Sequence, residues 1–364
     1  MRTRTLPVVA PVLALALGLA ACGEEQGQPG GGAAPKGPAL SGNIAGAGAS
    51  SQDAAMESWI AGFQEQNPEV TISYDPVGSG GGREQFVEGG TLFAGSDAAL
   101  EEEELTGAQK RCGGPDKLVE MPAYISPIAV VYNLEGVPNL QLSGETLASI
   151  FKQDITNWND PAIAKDNPGA QLPDQRITAV NRSDESGTTE NFVEYMAEVA
   201  PDVWDFEVDG NWPVKGGEAA QGTSGVVDAV KNGQGTIGYA DASQAGELGV
   251  AKIKVGEEFV APTPEAAAAI VERSEETNDE GRFVFTRDLA RDTSESGTYP
   301  IVLVSYELAC TKYDSPDEGK VVKAFMSYII SEEGQNVAAK AAGSAPISDA
   351  LRKQFQPAVD AIGG

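Results

Sequence analysis

Four short segments rich in glycine, serine and threonine each follow a predicted strand, and they limit what this chain can fold into. They span residues 46–51, 78–82, 94–97 and 181–188, and each precedes a helical pattern. Strands that alternate with helices in this way predict α/β lobes with mainly parallel sheets. In such sheets ligands bind beyond the carboxyl ends of the strands, where helices begin. The four segments are therefore the first candidates for a binding site.

The hydrophobic pattern between these segments supports the alternation. Met56, Trp59, Ile60 and Phe63 recur at helical spacing and predict an amphipathic helix over residues 52–66. Further helices are predicted over residues 83–88, 188–199, 226–231, 317–333 and 347–362. Strands are predicted over residues 70–74, 91–94, 177–180, 236–240 and 301–308, and two extended runs within 118–134, split at 126–127.

Helix N-termini of this kind can bind an anion without a basic protein surface. The first backbone N–H groups of a helix are unpaired and carry partial positive charge. Serine and threonine hydroxyls add donors, and glycine lets the backbone approach closely. Residues 78–82 are no Walker A loop, because the G-K-[ST] ending is missing.

Each segment also has a simpler structural interpretation. Ser50 or Ser51 could cap a helix, residues 78–82 could be a plain turn, and Asp97 could cap the helix that follows it. Arg182 and Asp184 could form a surface ion pair, which contributes little to stability. The sequence leaves these alternatives open for each segment taken alone.

The composition excludes several classes of function. The sequence has 25 Lys and Arg against 54 Asp and Glu, a formal net charge of −29. Nucleic acids and anionic membrane surfaces require a basic footprint, so neither is expected as a partner. The absence of histidine argues against Ser-His-Asp hydrolases, Cys-His proteases and His-ligated zinc enzymes. Three cysteines cannot form a four-ligand zinc site, and we expect no metal and no cofactor.

The N-terminus has the pattern of an export signal. Arg2 and Arg4 precede an apolar run that stops before Cys22 and is too short and too early for a membrane-spanning helix. The residues around Cys22 resemble a bacterial lipobox, so we expect residues 1–21 to be removed and Cys22 to be lipidated. An ordinary signal cleaved beside it is the alternative. Residues 22–38 have the composition of a flexible linker, which predicts an exported lipoprotein on the outer face of the cell membrane.

Export would place the other two cysteines in an oxidising environment. Cys112 and Cys310 are therefore candidates for a disulfide bond, and two unpaired thiols remain the alternative on spacing alone. A bond between them would join two parts of the chain that are distant in sequence.

Taken in order, the four segments resemble the phosphate-specific solute-binding proteins of ABC transporters. The likeness rests on G-A-G-A-S at 46–50, G-S-G-G at 78–81, G-S-D at 95–97 and R-S-D-E-S-G-T at 182–188. Residues 158–169 and 235–239 are also similar, and the resemblance runs from about Ser41 to the C-terminus. It implies a two-lobe, periplasmic-binding-protein-like α/β fold of type II, hinged, with the ligand cleft between the lobes.

The resemblance implies phosphate ligands from the first lobe. Ser50 would supply a hydroxyl and its N–H group, whereas Ser51, where the family often has phenylalanine, would supply its backbone N–H. Ser79 would donate its hydroxyl. Asp97 would accept a hydrogen bond from a protonated phosphate oxygen.

The resemblance implies a second set of ligands from the other lobe. Arg182 would be the one cation of the site, and Asp184 would orient it. Ser186, Gly187 and Thr188 would surround the anion with hydroxyls and N–H groups at a helix start.

The resemblance also implies where the chain divides. Lobe one would comprise residues 39–125 and 300–364, and lobe two residues 126–299, with crossings near 125–131 and 297–301. Glu-Ser-Gly-Thr occurs a second time at 295–298, but a predicted strand follows it, so we expect a connection there and not a second site.

These implications predict a binding protein and not an enzyme. It would bind inorganic phosphate and deliver it to the transmembrane subunits of an ABC permease. The same fold binding another tetrahedral oxyanion, such as sulfate or molybdate, is one alternative, and a structural or sensory surface protein is another. An exported phosphatase with Ser79 or Ser186 as nucleophile is disfavoured. The sequence has no histidine and no G-x-S-x-G turn, and neither of these serines has the lysine partner of an S-x-x-K motif.

Overall fold

The structure is a computed structural model that describes residues 40–277 and 281–363. The predicted signal peptide, Cys22 and the linker over residues 22–38 lie outside the described residues. Within those two ranges, no helix is both long enough and apolar enough to cross a membrane.

The strands of the described residues are β1 (Ser41–Gly48), β2 (Glu69–Asp75), β3 (Phe93–Ser96), β4 (Leu118–Asn133), β5 (Gln141–Leu142), β6 (Thr178–Arg182), β7 (Glu218–Ala220), β8 (Thr236–Asp241), β9 (Gly249–Val250), β10 (Lys252–Val255), β11 (Glu258–Val260), β12 (Glu275–Thr277), β13 (Thr286–Asp288) and β14 (Val302–Cys310).

The α-helices are α1 (Asp53–Gln66), α2 (Ser79–Glu88), α3 (Glu102–Cys112), α4 (Gly144–Lys152), α5 (Pro161–Asp166), α6 (Gly187–Val199), α7 (Gly222–Asn232), α8 (Pro264–Arg273), α9 (Pro316–Ile330), α10 (Glu332–Ala342) and α11 (Asp349–Ala361).

A nine-stranded mixed sheet runs through the described part of the chain. Its order is β2-β1-β3-β14-β4-β8-β6-β7, with β9 paired to β4. At one end β1 lies parallel to β2 and β3, and at the other β6 lies parallel to β7 and β8. In the centre β14 is antiparallel to β3 and β4, and β4 is antiparallel to β8. The α/β class is confirmed, but the expectation of mainly parallel strands is wrong for the centre, where two long strands carry the chain in opposite directions.

β4 is one continuous strand of 16 residues, where the sequence predicted two runs split at Ser126 and Pro127. The residues up to Pro127 pair with β14, and those from Ile128 onward pair with β8. Proline has no N–H to donate to a ladder, so a point where the strand changes partner tolerates it. We define the first lobe by β1–β3 with α1–α3, and the second lobe by β6–β8 with α6 and α7. β4 and β14 connect them.

Helix α1 shows how the apolar pattern positions the first lobe. Met56, Trp59 and Phe63 are buried, as their helical spacing predicts, whereas Ile60 stays partly exposed. The indole N–H of Trp59 donates to the carbonyl of Gly334 at 2.8 Å, which ties α1 to α10. The predicted helix over residues 52–66 is therefore confirmed.

The helix predicted over residues 317–333 is in fact two helices. Ser331 ends α9 and caps α10, where its hydroxyl accepts a hydrogen bond from the Gly334 N–H at 3.0 Å. Serine is a preferred helix cap, and capping starts a new helix direction here even though the apolar periodicity continues.

A short segment before β13 packs beside the first lobe. The N–H of Glu120 in β4 donates to Phe283 O at 2.9 Å, and the N–H of Phe285 donates to Glu120 O at 2.8 Å. The ring of Phe285 also lies 5.1 Å from that of Phe355 in α11. This segment belongs to the stretch 126–299 that the sequence assigned to lobe two, and it packs on β4 and α11.

A disulfide bond joins Cys112, the last residue of α3, to Cys310, the last residue of β14. The two Cα atoms are 5.1 Å apart, and the cysteines are separated by 198 residues in sequence. The bond fastens the end of a central strand to a helix of the first lobe.

Removing this bond is expected to lower the free energy of unfolding. In the double variant Cys112→Ser/Cys310→Ser, the unfolded chain regains the entropy of a very long loop, worth up to about 5 kcal/mol. Denaturant titration of oxidised wild type, reduced wild type and the double variant measures the free energy of unfolding. Reduced wild type and the double variant should give the same value. Two alkylatable thiols in native exported protein would contradict the bond.

Candidate functional site

Asp97 is the residue on which the candidate site centres. It directly follows β3, at the carboxyl edge of the sheet, and is 2% exposed. Its carboxylate accepts hydrogen bonds from Ser51 Oγ at 2.6 and 2.7 Å, from Thr188 Oγ1 at 2.8 Å and from Ser305 Oγ. Hydroxyl groups from the start of α1, from α6 and from β14 thus meet at one buried carboxylate.

Asp97 does not cap the helix that follows it. Helix α3 begins after Glu101, which forms a capping box with Glu104. The Asp97 N–H donates to Ser79 Oγ at 3.1 Å, and Asn191 Nδ2 of α6 donates to the Asp97 carbonyl at 2.7 Å. The capping interpretation is therefore wrong, and the whole residue faces groups of the candidate site.

Ser50 and Ser51 do not cap α1 through their side chains either. The residue that precedes α1 is Gln52, and it makes no side-chain cap. The Ser51 hydroxyl donates to Asp97, a contact that phenylalanine could not make, so its side chain has a role that the resemblance did not imply. The Ser50 hydroxyl accepts from the Thr223 N–H at 3.0 Å and lies 3.1 Å from Thr223 Oγ1.

Arg182 is buried and Asp184 is partly buried, so their ion pair is not an exposed surface pair. Arg182 is 3% exposed, its Nε donates to Asp184 Oδ1 at 2.8 Å, and its Nη2 donates to Oδ2. The Gly222 N–H at the start of α7 also donates to Asp184 Oδ1, at 3.0 Å. Burial alone would raise the pKa of Asp184, but the hydrogen bonds and charge of Arg182 outweigh it and lower that pKa. Asp184 therefore stays ionised and fixes the plane of the guanidinium.

The start of α6 is built as the sequence predicts. Ser186 caps the helix, because its Oγ accepts from the Thr189 N–H at 3.2 Å, and the hydroxyl hydrogen remains for a second contact. Thr188 reaches Asp97 through its hydroxyl. Gly187 lies so near the first lobe that an added Cβ would be 2.7 Å from Asp97 Cβ and 2.8 Å from the Ala98 nitrogen.

The glycine run at 78–82 has a packing role beyond that of a turn. Helix α2 starts at Ser79, and Gly78 before it has a φ of 101°, which favours glycine. A Cβ on Gly78 would lie 2.6 Å from Asp184 Oδ2, and one on Gly80 would lie 2.4 Å from Glu185 Oε2. The loop between β6 and α6 therefore packs directly on the N-terminus of α2.

The structure brings further residues to the site that the sequence reasoning missed. Thr223 is the second residue of the segment G-T-S-G at 222–225, which has the same composition as the four predicted turns and could have been found by it. Ser305 interrupts an apolar strand, which is a weaker signal. Asn191 Nδ2 and Gln244 Nε2, which donates to Ser50 O at 3.0 Å, could not have been found locally.

Arg83 joins the two lobes beside the site. Its guanidinium is buried and donates to Glu104 at 2.9 Å, to Ser96 Oγ at 3.1 Å and to Glu185 Oε1 at 2.8 Å. Glu104 belongs to the first lobe, whereas Glu185 belongs to the loop before α6. Burial raises the pKa of the neighbouring Glu190 to about 7, against the pull of Arg83. The carboxyl groups of Glu104, Glu185 and Glu190 therefore all interact with the one guanidinium of Arg83.

A group of three carboxylates outside the site could hold a cation. Oxygen atoms of Glu194, Glu198 and Asp288 lie within 4.8 Å of one another. Glu194 is already paired with Arg291 at 2.6 Å, and exposed acidic groups of this kind are common without an ion. The contacts to Asp97 involve none of the three.

Comparisons with known proteins identify the family. The sequence profile described as the PBP superfamily domain matches residues 33–333. Phosphate-binding protein PstS 3 of Mycobacterium tuberculosis is 36% identical over 357 residues, which cover 95% of each chain. Phosphate-binding protein PstS of Methanocaldococcus jannaschii is 33% identical over 300 residues, covering 76% of this chain and 75% of its own.

The fold has solved counterparts. A crystal structure of a phosphate-binding protein from Stenotrophomonas maltophilia superposes with a TM-score of 0.66 at 19% identity, covering 87% of this chain and 94% of that one. This likeness shows the two-lobe fold, and the sequence matches show the closer relationship. The chain belongs to the PBP superfamily and, within it, to the family of the phosphate-binding proteins PstS.

Proposed function

We propose that this chain binds inorganic phosphate between its two lobes, outside the cytoplasm, and delivers it to the transmembrane subunits of an ABC permease. The observation that carries the proposal is the convergence of hydroxyl groups from both lobes on the buried carboxylate of Asp97, beside the starts of four helices. The PstS relatives, which are phosphate-binding proteins by name, support it.

The donors of the site suit a tetrahedral anion. The starts of α1, α2 and α6 offer backbone N–H groups with partial positive charge, and the hydroxyls of Ser50, Ser79 and Ser186 stand among them. Hydroxyls that bond to protein groups here can rotate toward an anion, because each has one hydrogen and two lone pairs. Arg182 keeps Nη1 outside its pair with Asp184, so one nitrogen of the fork can face the ligand.

Asp97 gives the site its selectivity in this proposal. Phosphate near neutral pH keeps at least one proton and can donate a hydrogen bond to the carboxylate, whereas sulfate has only acceptor oxygens. A second anion facing a buried carboxylate without a proton between them is strongly unfavourable. The same fold binding sulfate is therefore the disfavoured alternative.

Contacts across the cleft support binding by closure. Ser50 with Thr223, Asp97 with Thr188 and Arg83 with Glu185 each join the first lobe to the second. A ligand that touches both lobes favours the closed state by its higher affinity for it. We place the lobe boundaries as the sequence suggests, at residues 39–125 with 300–364 and 126–299, with the segment at 283–285 packed on the first lobe. The partner switch of β4 between Pro127 and Ile128 supports the first crossing.

The proposal is binding without turnover. The hydroxyl oxygens of Ser79 and Ser186 accept hydrogen bonds from backbone N–H groups, which does not activate either as a nucleophile. Calorimetric titration with phosphate, sulfate and molybdate tests the function. One phosphate bound per chain, with no hydrolysis of phosphate esters, is the expected result, and ester turnover or tighter sulfate binding would overturn it.

Asp97→Asn is expected to narrow the preference for phosphate over sulfate. The amide can donate to a sulfate oxygen, and it no longer offers two acceptor oxygens to a P–OH group. Losing a hydrogen bond to a charged group amounts to about a 10- to 100-fold change in affinity. Titration of wild type and variant with both anions measures the ratio of the two dissociation constants.

Arg182→Ala is the control for that experiment. It removes attraction for any tetrahedral anion, so phosphate binding should weaken without a gain for sulfate. An Asp97→Asn variant with wild-type affinity and selectivity would show that Asp97 does not contact the ligand.

Gly187→Ala is expected to oppose closure of the cleft without lowering the stability of either lobe. The new Cβ would meet the backbone at Asp97 and Ala98 only when the cleft is closed, and overpacking of this kind lowers affinity by about 10- to 100-fold. Gly225→Ala in α7 is the matched control, since its Cβ would meet only ordinary contacts at 3.6 Å. Phosphate titration of both variants measures the loss of affinity, and thermal unfolding measures their stability. Equal phosphate affinities of the two variants would contradict closure.

Cys22→Ser is expected to release the protein from the membrane. Two acyl chains on the mature N-terminal cysteine give stable attachment, which one chain does not. Fractionation of cells that express wild type or variant measures it. A variant that stays in the membrane fraction would show that anchoring does not depend on Cys22.

A further inference from the structure

Two buried side chains behind the candidate site have acceptor oxygens without a donor. Glu307 lies in β14 with no exposed surface, and neither of its carboxylate oxygens has a hydrogen-bond partner among the described residues. Gln52, the residue before α1, is equally buried, and its Oε1 also lacks a donor. Gln52 lies over the strand pair that carries Glu307, because Gly95 pairs with Glu307 and a Cβ on Gly95 would lie 1.5 Å from Gln52 Nε2.

The orientation of the Gln52 amide follows from its other contact. The hydroxyl of Tyr74 lies 3.1 Å from the carbonyl oxygen of Ala49, an acceptor only, so Tyr74 must donate to it. Tyr74 then accepts from Gln52 Nε2 at 3.1 Å. The amide nitrogen donates one of its two hydrogens to Tyr74, and Oε1 is the Gln52 atom that has no partner. A proton on Glu307 would supply the donor that this oxygen lacks.

Within residues 40–277 and 281–363, no charged side chain is found that would keep Glu307 ionised. Its neighbours on the adjacent strands are Gly95 and Met121. Burial holds the pKa of Glu307 well above its usual value, and the nearby Gln52 amide offsets only part of this rise. The pKa of Tyr74 is raised as well, first by burial and then by Glu307. An ionised carboxylate here would be desolvated without a compensating partner.

We propose that Glu307 is a protonated positioning residue for the anion site. Its carboxyl O–H donates to Oε1 of Gln52, which orients the Gln52 amide toward Tyr74, and Tyr74 in turn holds the carbonyl of Ala49. This chain of hydrogen bonds fixes the turn that presents Ser50 and Ser51 at the start of α1. The effect on phosphate affinity rests on the proposed function, whereas the proton on Glu307 does not.

The neutral form has a consequence for the ligand. A protonated Glu307 adds hydrogen bonding below the start of α1 but no negative charge. An ionised Glu307 would oppose the partial positive charge of that helix start and repel the anion. The acid therefore supports the turn without weakening its attraction for phosphate.

Infrared spectroscopy tests the proton directly. The difference spectrum between wild type and Glu307→Gln, recorded at neutral pH without ligand, should contain the carbonyl stretch of one protonated carboxylic acid. A difference spectrum that contains only carboxylate bands would overturn the proposal. This readout holds even if the chain binds no phosphate, so it separates the inference from the proposed function.

Affinity measurements test the positioning role. Glu307→Met removes the donor and is expected to weaken phosphate binding by about 5- to 30-fold, because the Gln52 oxygen is left without a partner. Glu307→Gln restores a donor and should rescue most of that loss. If Glu307→Met lowers the unfolding temperature but leaves phosphate affinity unchanged, the residue is structural only and the positioning role is wrong.

A double-mutant cycle identifies the route. Tyr74→Phe removes the hydroxyl between Gln52 and Ala49, so it should reproduce a large part of the affinity loss of Glu307→Met. The double variant should be little weaker than the worse single variant, since both act on one chain of contacts. Fully additive losses would show that Glu307 does not act through Tyr74.

Discussion

The structure depends on a buried carboxylate that is held by hydroxyl groups. Ser51, Thr188 and Ser305 bring hydrogen bonds to Asp97 from the first lobe, the second lobe and the strand between them. Hydroxyls compensate the loss of water but bring no charge, so the carboxylate can still accept a hydrogen bond from a ligand. The ligand of the proposed site must therefore be an anion for the helix starts and a hydrogen-bond donor for Asp97. Both requirements together describe protonated phosphate.

Because the chain is acidic, an anion must be attracted by groups at short range. With a net charge of −29, the long-range field opposes an approaching anion, and salt screens that field beyond about 10 Å. In the proposed site, attraction must come from groups within contact distance, and the helix starts and the guanidinium of Arg182 are the groups that could supply it. Arg83 also acts only at contact distance, since this one buried cation forms ion pairs with Glu104 and Glu185 on opposite sides of the cleft.

Local sequence patterns predicted the parts of the site that are built locally. A glycine- and serine-rich turn between a strand and a helix marks both α2 and α6. Helix α6 begins at Gly187, one residue before its predicted start, whereas α2 begins at Ser79, inside the glycine run and four residues before its predicted start. The side-chain role of Ser51 and the contact of Ser50 with Thr223 could not be predicted in this way. They depend on which distant segment packs opposite each turn, and the sequence of the turn itself does not contain that information. The antiparallel centre of the sheet was missed for the same reason, because strand direction there follows from two long crossings of the chain.

β14 explains why the late part of the chain matters to a site formed largely by earlier segments. It lies between β3 and β4, so it touches the first lobe and runs along the strand that crosses to the second. Ser305 bonds to Asp97 from this strand, Glu307 lies against Gln52, and Cys310 fastens its end to α3. An apolar strand would satisfy the core equally well, so its two polar residues are best explained by what they hold. The turn that presents Ser50 and Ser51 is thus held by a strand that follows it by about 250 residues, and the site can form only after that strand has inserted.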